Sequence, residues 1–190
     1  SDRKYRIGTR LWSIGQLAPV SDQLRHRAMP TLARLYEETG ENITLAVIDR
    51  GQALYVDRIG GERSVHTSTR AGGHLPLHVT GVGKVLLAFQ RPEAIQKYLS
   101  RPLTRVTPHS IVEPDKLEKE LIETRQRGYS IARQESTAGN GSVAVPIMQG
   151  GRCVAALGIV AHLTHLDVPR LVETLREASA SITKELEEEH

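Results

Sequence analysis

The sequence predicts an α+β domain built on a central antiparallel sheet flanked by helices, and three observations carry that prediction. Segments rich in β-branched residues fall into two groups, residues 42–70 and 129–161, and do not alternate regularly with helices. Glycine-bearing turns join neighbouring segments within each group in the manner of hairpins. Helical periodicity before, between and after the groups supplies amphipathic helices to cover the sheet. At 190 residues the chain can bury a substantial core in a single domain.

Residues 5–18 (YRIGTRLWSIGQLA) place Ile7, Leu11, Ile14 and Ala18 at helical spacing, and Pro19 closes the segment. Ser21-Asp22 offers a cap for a second helix that carries Leu24, Ala28, Leu32 and Leu35 and stops at Gly40, with a kink or break expected at Pro30. NITLAVID (42–49) and QALYVDRI (52–59) read as strands joined at Arg50-Gly51, and Gly60-Gly61 leads into a third strand over 64–70. Pro114 opens a helix that ends at Gly128, with Leu117, Leu121 and Ile122 as its buried stripe. Residues 129–134, 142–148 and 153–161 supply three more strands, the last two flanking Gln149-Gly150-Gly151. A final helix opens near Asp167, has Pro169 in its first turn, buries Leu171, Val172, Leu175, Ile182 and Leu186, and ends in the acidic run 185–189.

Composition narrows the function classes. Hydrophobic residues at 39% and charged residues at 25% are ordinary for a globular protein. No apolar run approaches the roughly 20 residues of a membrane span. The single cysteine, Cys153, can form neither an internal disulfide nor a multi-thiolate zinc site, and it fits a reducing cytoplasm. A net charge of +3 and an isoelectric point near 9.2 do not by themselves indicate nucleic-acid binding. The chain opens Ser1-Asp2-Arg3-Lys4 without a methionine and is expected to be a piece of a longer protein.

Residues 73–89 (GHLPLHVTGVGKVLLAF) pose the functional question, because a glycine-flanked lysine before an apolar run suggests a phosphate loop. The defining positions fail. His78 stands where the first glycine of G-x-x-x-x-G-K-[ST] belongs, and Val85 stands where the metal-binding hydroxyl belongs. What remains is a helix capped by Thr80 whose opening turn is Gly81-Val82-Gly83. Two glycines there cost about 1 kcal/mol each in helix propensity. Either tight packing or the approach of a ligand to the backbone offsets that cost, and free N–H groups at a helix start favour a carboxylate.

Enzyme and metal readings find little support. Cys153 lies in an apolar strand with no histidine suggested beside it, and Ser136-Thr137 next to Glu135 lacks a nucleophile elbow. The pairs His74/His78 and His162/His165 have metal-ligand spacing, but Pro76 interrupts the first and the second precedes a helix in a loop. No enzyme activity, metal or cofactor is expected.

The stretch Arg70-x-Gly72-x-x-Leu75-Pro76-Leu77-His78-x-Thr80-x-x-Gly83-Lys84-x-Leu86-Leu87-Ala88 resembles the central signature of the IclR-type (isocitrate-lyase regulator) transcription regulators. Arg127-Gly128-Tyr129, Glu135-x-x-x-Gly139, Val143-Ala144-Val145-Pro146 and Glu38-Thr39-Gly40-Glu41 agree with it, and Tyr5-Arg6-Ile7-Gly8 resembles the junction after the DNA-binding wing. The resemblance implies a GAF-like (profilin-like) effector-binding domain over residues 20–190, preceded by a linker helix over 1–19. It also implies that a winged helix-turn-helix absent from this chain reads operator DNA. Partners are then a small organic or aromatic acid, operator DNA through that missing domain, and further copies in a homodimer or homotetramer, often acting as a repressor. The alternative is an oligomerisation module without a ligand.

By similarity, the effector contacts are Gly81, Val82 and Gly83 at the turn, Ala132, Glu135, Asn140 and Ser142 after Gly128, and Gly158 and Val160 on the strand 153–161. His66 and Ser68 are added as residues alternating on one face of the expected third strand. Short-acid sensors of the family carry acidic residues at 132 and 133 and serines at 158 and 160. Their absence predicts a roomier, more apolar floor and an effector larger or less polar than glyoxylate or pyruvate. Lys84 is left between a ligand contact and a structural hydrogen bond, and Arg70 is expected to brace the Gly72-Gly73 loop.

Overall fold

A computed structural model describes residues 19–61, 64–67 and 70–188. Residues 1–18 of the linker helix expected over 1–19, and the candidate Ser68, lie outside the described residues. Helix α1 (Pro19–Thr39) leads into β1 (Asn42–Asp49) and β2 (Gln52–Ile59), followed by the short strand β3 (His74–Pro76). A 3-10 turn (Leu77–Val79) enters α2 (Gly81–Ala88), followed by α3 (Pro92–Leu99) and α4 (Pro114–Arg127). Strands β4 (Ser130–Arg133), β5 (Asn140–Gln149) and β6 (Arg152–His162) come next, and α5 (Val168–Glu187) ends the domain.

The six strands form one antiparallel sheet in the order β3-β2-β1-β6-β5-β4. Its two tight hairpins need left-handed backbone at both central residues, and Arg50-Gly51 (φ 50° and 76°) and Gly150-Gly151 (φ 55° and 73°) provide it. Both faces of the sheet are covered, which explains why β1 and β6 read as nearly continuous apolar runs. On one face Ile43, Leu45, Val145, Leu157 and Ile159 pack with Leu32 and Leu35 of α1 and Leu175 and Ile182 of α5. On the other, the small residues Ala46, Ala144 and Ala156 allow the wholly buried α2 to lie close, through Val82, Val85 and Leu86.

Three local expectations are corrected, and one helix is added. Residues 64–67 form no strand, and the third strand is His74–Pro76, in register with β2 through Gln52↔Pro76 and Leu54↔His74. SVHTSTR has one apolar side chain, too few to bury a strand face, whereas Leu75 packs against the α2 side of the core. Pro30 does not break α1: it stands on the exposed side of a helix that runs from Pro19 to Thr39, while Leu24, Ala28 and Leu32 anchor the opposite side. Ile122 is 54% exposed, because the buried stripe of α4 runs through Leu117, Leu121 and Thr124 at i, i+4 and i+7. Helix α3 was not expected, although Pro92 at its first position, Glu93 beside it and Lys97 in its last turn are recognisable signals.

His78, buried in the 3-10 turn, joins this turn to α3. Its Nε2 lies 2.9 Å from the Thr104 carbonyl oxygen, which can only accept, so Nε2 carries the proton. Its Nδ1 therefore accepts from the Tyr98 hydroxyl, 2.8 Å away. Burial holds the imidazole below its ordinary value of 6.5; the Thr104 carbonyl opposes this and the charge of Lys84 adds to it. The unfolded chain takes up a proton at this residue below pH 6.5, whereas the native chain does so only at lower pH. The stabilisation is thus present above that pH and is lost as the pH falls through the folded-state value, at up to about 1.4 kcal/mol per pH unit. Urea midpoints of the parent and of His78→Gln, compared from about pH 8 downward, should show this component of the acid slope only in the parent.

Candidate functional site

The opening of α2 is built by side chains from distant strands. Thr80 caps it, its Oγ1 accepting from Gly83 N–H at 3.0 Å. Gly81 N–H donates to Ser142 Oγ at 3.2 Å, and Ser130 Oγ donates to the Gly81 carbonyl at 2.7 Å. Val82, between the two glycines, has an N–H with no side-chain acceptor among the described residues. The two glycines have different causes. A Cβ on Gly83 would lie 2.3 Å from the Leu77 carbonyl oxygen, so packing alone excludes a side chain. A Cβ on Gly81 would lie 2.8 Å from Ser142 Oγ, a hydroxyl that can turn away.

Beside this turn lies a small open hollow of about 30 Å³. Strand register assembles its wall: Ala132 pairs with Ser142, Ser142 with Val160, and Thr44 with Gly158, in rows across β4, β5, β6 and β1. Eight of the residues singled out in the sequence meet here: Gly81, Val82, Ala132, Glu135, Asn140, Ser142, Gly158 and Val160. Gly83 does not line the hollow, and its N–H is already taken by Thr80. His66 is exposed and stands outside the wall, touching it only through its carbonyl, which accepts from Asn140 Nδ2 at 2.9 Å. Thr44, Tyr55, Thr80, Ser136 and Gly141 complete the lining. Thr44 had a signal, as a polar residue on the alternate positions of an apolar strand.

At Gly158 itself the structure leaves no spare room. A Cβ there would meet Val82 Cγ1 at 2.8 Å and Thr44 Oγ1 at 3.0 Å, so Val82 already occupies the space that a serine would use. Polar groups from Thr44, Ser136, Asn140 and Ser142 remain in the wall.

Lys84 settles into the structural role. It is 1% exposed; its Nζ donates to Glu135 Oε1 at 2.8 Å and to the Ile131 carbonyl at 2.6 Å, and lies 3.6 Å from Glu120. Glu120 in turn accepts from Arg127 at 2.8 Å, so a chain of charges runs from the cavity wall to the outer helix α4. Burial raises the Glu135 carboxyl above the ordinary carboxylate value, while Lys84 pulls it back down. Its Oε2 is buried without a hydrogen-bond partner.

The remaining candidates have local partners. Arg70 braces its loop through its backbone: Gly73 N–H donates to the Arg70 carbonyl at 2.9 Å, and Gly72 N–H reaches the Tyr55 carbonyl. His74 pairs with Asp49 at 2.8 Å, His165 with Glu41 at 3.2 Å, and His162 with Thr164. Among the described residues no three histidine, cysteine or acidic side chains gather as a metal site would need. Burial pushes the Cys153 thiol up to about 12, which keeps it out of the nucleophilic thiolate form. No helix among the described residues is long and apolar enough to cross a membrane.

The relatives of this chain are transcription regulators. Residues 17–184 match the family described as bacterial transcriptional regulator IclR C-terminal. The chain belongs to the IclR family of transcription regulators, as its C-terminal, effector-binding domain. It is 29% identical over 188 residues to the HTH-type transcriptional regulator XynR of Escherichia coli, covering 96% of this chain and 75% of the relative. It is 31% identical to the transcriptional repressor IclR of the same organism, covering 89% of this chain and 63% of that protein. A crystal structure of an IclR homologue from Microbacterium hydrocarbonoxydans complexed with 4-hydroxybenzoate superposes with a TM-score of 0.91 at 34% identity, covering 95% of this chain and 75% of that one. The Thermotoga maritima IclR structure superposes with a TM-score of 0.84 at 29% identity, over 94% and 74% of the two chains. These relatives are transcriptional regulators and not enzymes.

Proposed function

We propose that the domain senses a small organic or aromatic acid in the hollow beside α2, and that binding changes how a full-length regulator engages operator DNA. The observation that supports this most directly is that the N-terminal end of α2, through Gly81 and Val82, and Ser142 share one wall of an open hollow, with Thr44, Ser136 and Asn140 also lining it. The 4-hydroxybenzoate complex of the Microbacterium relative supports an aromatic acid as a ligand class to test. Control operates by linkage: an effector with unequal affinity for two subunit arrangements shifts their balance by that difference and no more. In this reading residues 1–19 link the domain to a winged helix-turn-helix, the assembly is a homodimer or homotetramer, and the protein works in the cytoplasm.

A thermal-shift screen with pyruvate, glyoxylate, dicarboxylic acids and benzoates tests the proposal. An acid supplied at a hundred times its Kd should stabilise the domain by about 2.7 kcal/mol, or roughly 5–10 °C for a domain of this size. Ser142→Asp places a carboxylate at the helix end reserved for the ligand, so it should abolish the shift without lowering Tm. A domain that self-associates and ignores every acid would instead be an assembly unit, and a shift unchanged in Ser142→Asp would place the anion elsewhere.

A further inference from the structure

Two buried side-chain atoms among the described residues lack a hydrogen-bond partner, Thr124 Oγ1 and Glu135 Oε2. Thr124 sits in the buried stripe of α4, whereas Glu135 is a wall residue of the hollow. Glu135 is only 7% exposed, and its two oxygens are treated differently. Oε1 accepts from Lys84 Nζ at 2.8 Å and from Arg133 N–H at 3.4 Å. Oε2 accepts from nothing. A buried acceptor without a partner is costly, more so on a carboxylate, and where a native fold retains one it calls for an explanation.

A carboxylate oxygen can only accept, so what it lacks is a donor. Elsewhere on the wall the Ser142 hydroxyl accepts from Gly81 N–H, which leaves its own hydrogen to donate, and the N-terminal end of α2 favours an anion. One cavity thus presents donors in one place and an unmet acceptor in another. We infer that the effector is an acid carrying a second, hydrogen-bond-donating group, a hydroxyl or an amine, and that Glu135 selects it through Oε2. This inference rests on the proposed sensing role and narrows its ligand class. Sites built around a hydrogen bond to a substrate group reject the analogue that lacks it far more strongly than apolar pockets reject a missing methylene.

Titration calorimetry on the parent protein with matched acids provides the test. One series is 4-hydroxybenzoate, benzoate and the methyl ether of the first; the other is γ-hydroxybutyrate and butyrate. In whichever series binds, the hydroxy acid should bind about ten-fold or more tightly than the analogue without the hydroxyl, because the bond is to a charged acceptor. The ether, which accepts but cannot donate, should bind no better than the unsubstituted acid. In Glu135→Gln, with Oε1 still serving Lys84, an N–H donor replaces Oε2 and the preference for hydroxy acids should vanish. If hydroxy acid and unsubstituted acid, or hydroxy acid and ether, bind alike, the inference is overturned while the sensing role stands. A preference that survives unchanged in folded Glu135→Gln removes Glu135 from the recognition. If no acid of either series binds, the sensing role fails and this inference fails with it. Should Glu135→Gln not fold, the contrast within the parent protein still decides.

Discussion

Lys84→Met should destabilise the domain by about 3–5 kcal/mol near neutral pH, the cost of leaving one member of a buried ion pair without its partner. The methionine fills most of the vacated volume, so the loss is electrostatic and not a cavity effect. Glu120 keeps Arg127 at 2.8 Å, but Glu135 keeps only the long bond from Arg133 N–H. The pH dependence separates this cause from general damage. The Glu135 carboxyl already titrates above its ordinary value of 4.5 because of burial, and Lys84 is the main influence pulling it down. Without Lys84 the folded-state value rises further. Below about pH 4.5 both folded and unfolded chains are protonated at this residue and the penalty is absent; it grows as pH rises through the folded-state value. Urea denaturation of the variant should show the deficit shrinking toward acid pH, and Lys84→Met/Glu135→Leu should recover most of it. A loss below about 1 kcal/mol, or one independent of pH, would show that the pair does not hold this wall of the cavity.

Lys84 also marks where sequence reasoning ran out. Its position after Gly83 was plain, but its partner Glu135 is 51 residues away, and only the folded sheet brings the two together. Local signals were legible: the hairpin turns, the Thr80 cap, the Gly128 stop with φ 77°, and the Asp167 cap that accepts from Arg170 N–H. The two groups of strands yielded the antiparallel sheet because hairpin chemistry is local. Register is not local. The rows Ala132–Ser142–Val160 and Thr44–Gly158 decide which residues face the hollow, and a slip of one residue would turn every side chain to the other face. The family motif bridged part of that gap, naming eight of the wall residues, while Thr44 and Tyr55 belong to strands the motif does not reach. The misplaced third strand has the same origin. An edge strand of three residues with a proline at its end carries almost no periodic signal, and only its pairing with β2 defines it.

Gly83→Ala should destabilise the domain by about 2–4 kcal/mol, although helix propensity alone favours alanine by about 1 kcal/mol. The added methyl would lie 2.3 Å from the Leu77 carbonyl oxygen and 2.6 Å from Leu77 Cα, and both are backbone atoms that cannot swing aside. It would also lie 2.5 Å from Thr80 Oγ1, the atom that caps Gly83 N–H, so the cap is displaced in the same step. Overpacking of this kind costs about 1–3 kcal/mol and a lost cap about 0.5–2 kcal/mol, which together outweigh the propensity gain. Gly81→Ala is the matched control. Its new methyl meets first the Ser142 hydroxyl at 2.8 Å, which can rotate at the cost of its bond from Gly81 N–H, so its stability should stay within about 1.5 kcal/mol of the parent. The contrast assigns the two glycines to different tasks, Gly83 to packing against the 3-10 turn and Gly81 to the edge of the hollow. Thermal denaturation of the two variants side by side measures it. A Gly83→Ala protein as stable as the parent would mean that the turn has room to spare, and the cost of a glycine at that position would then have to be explained by a ligand.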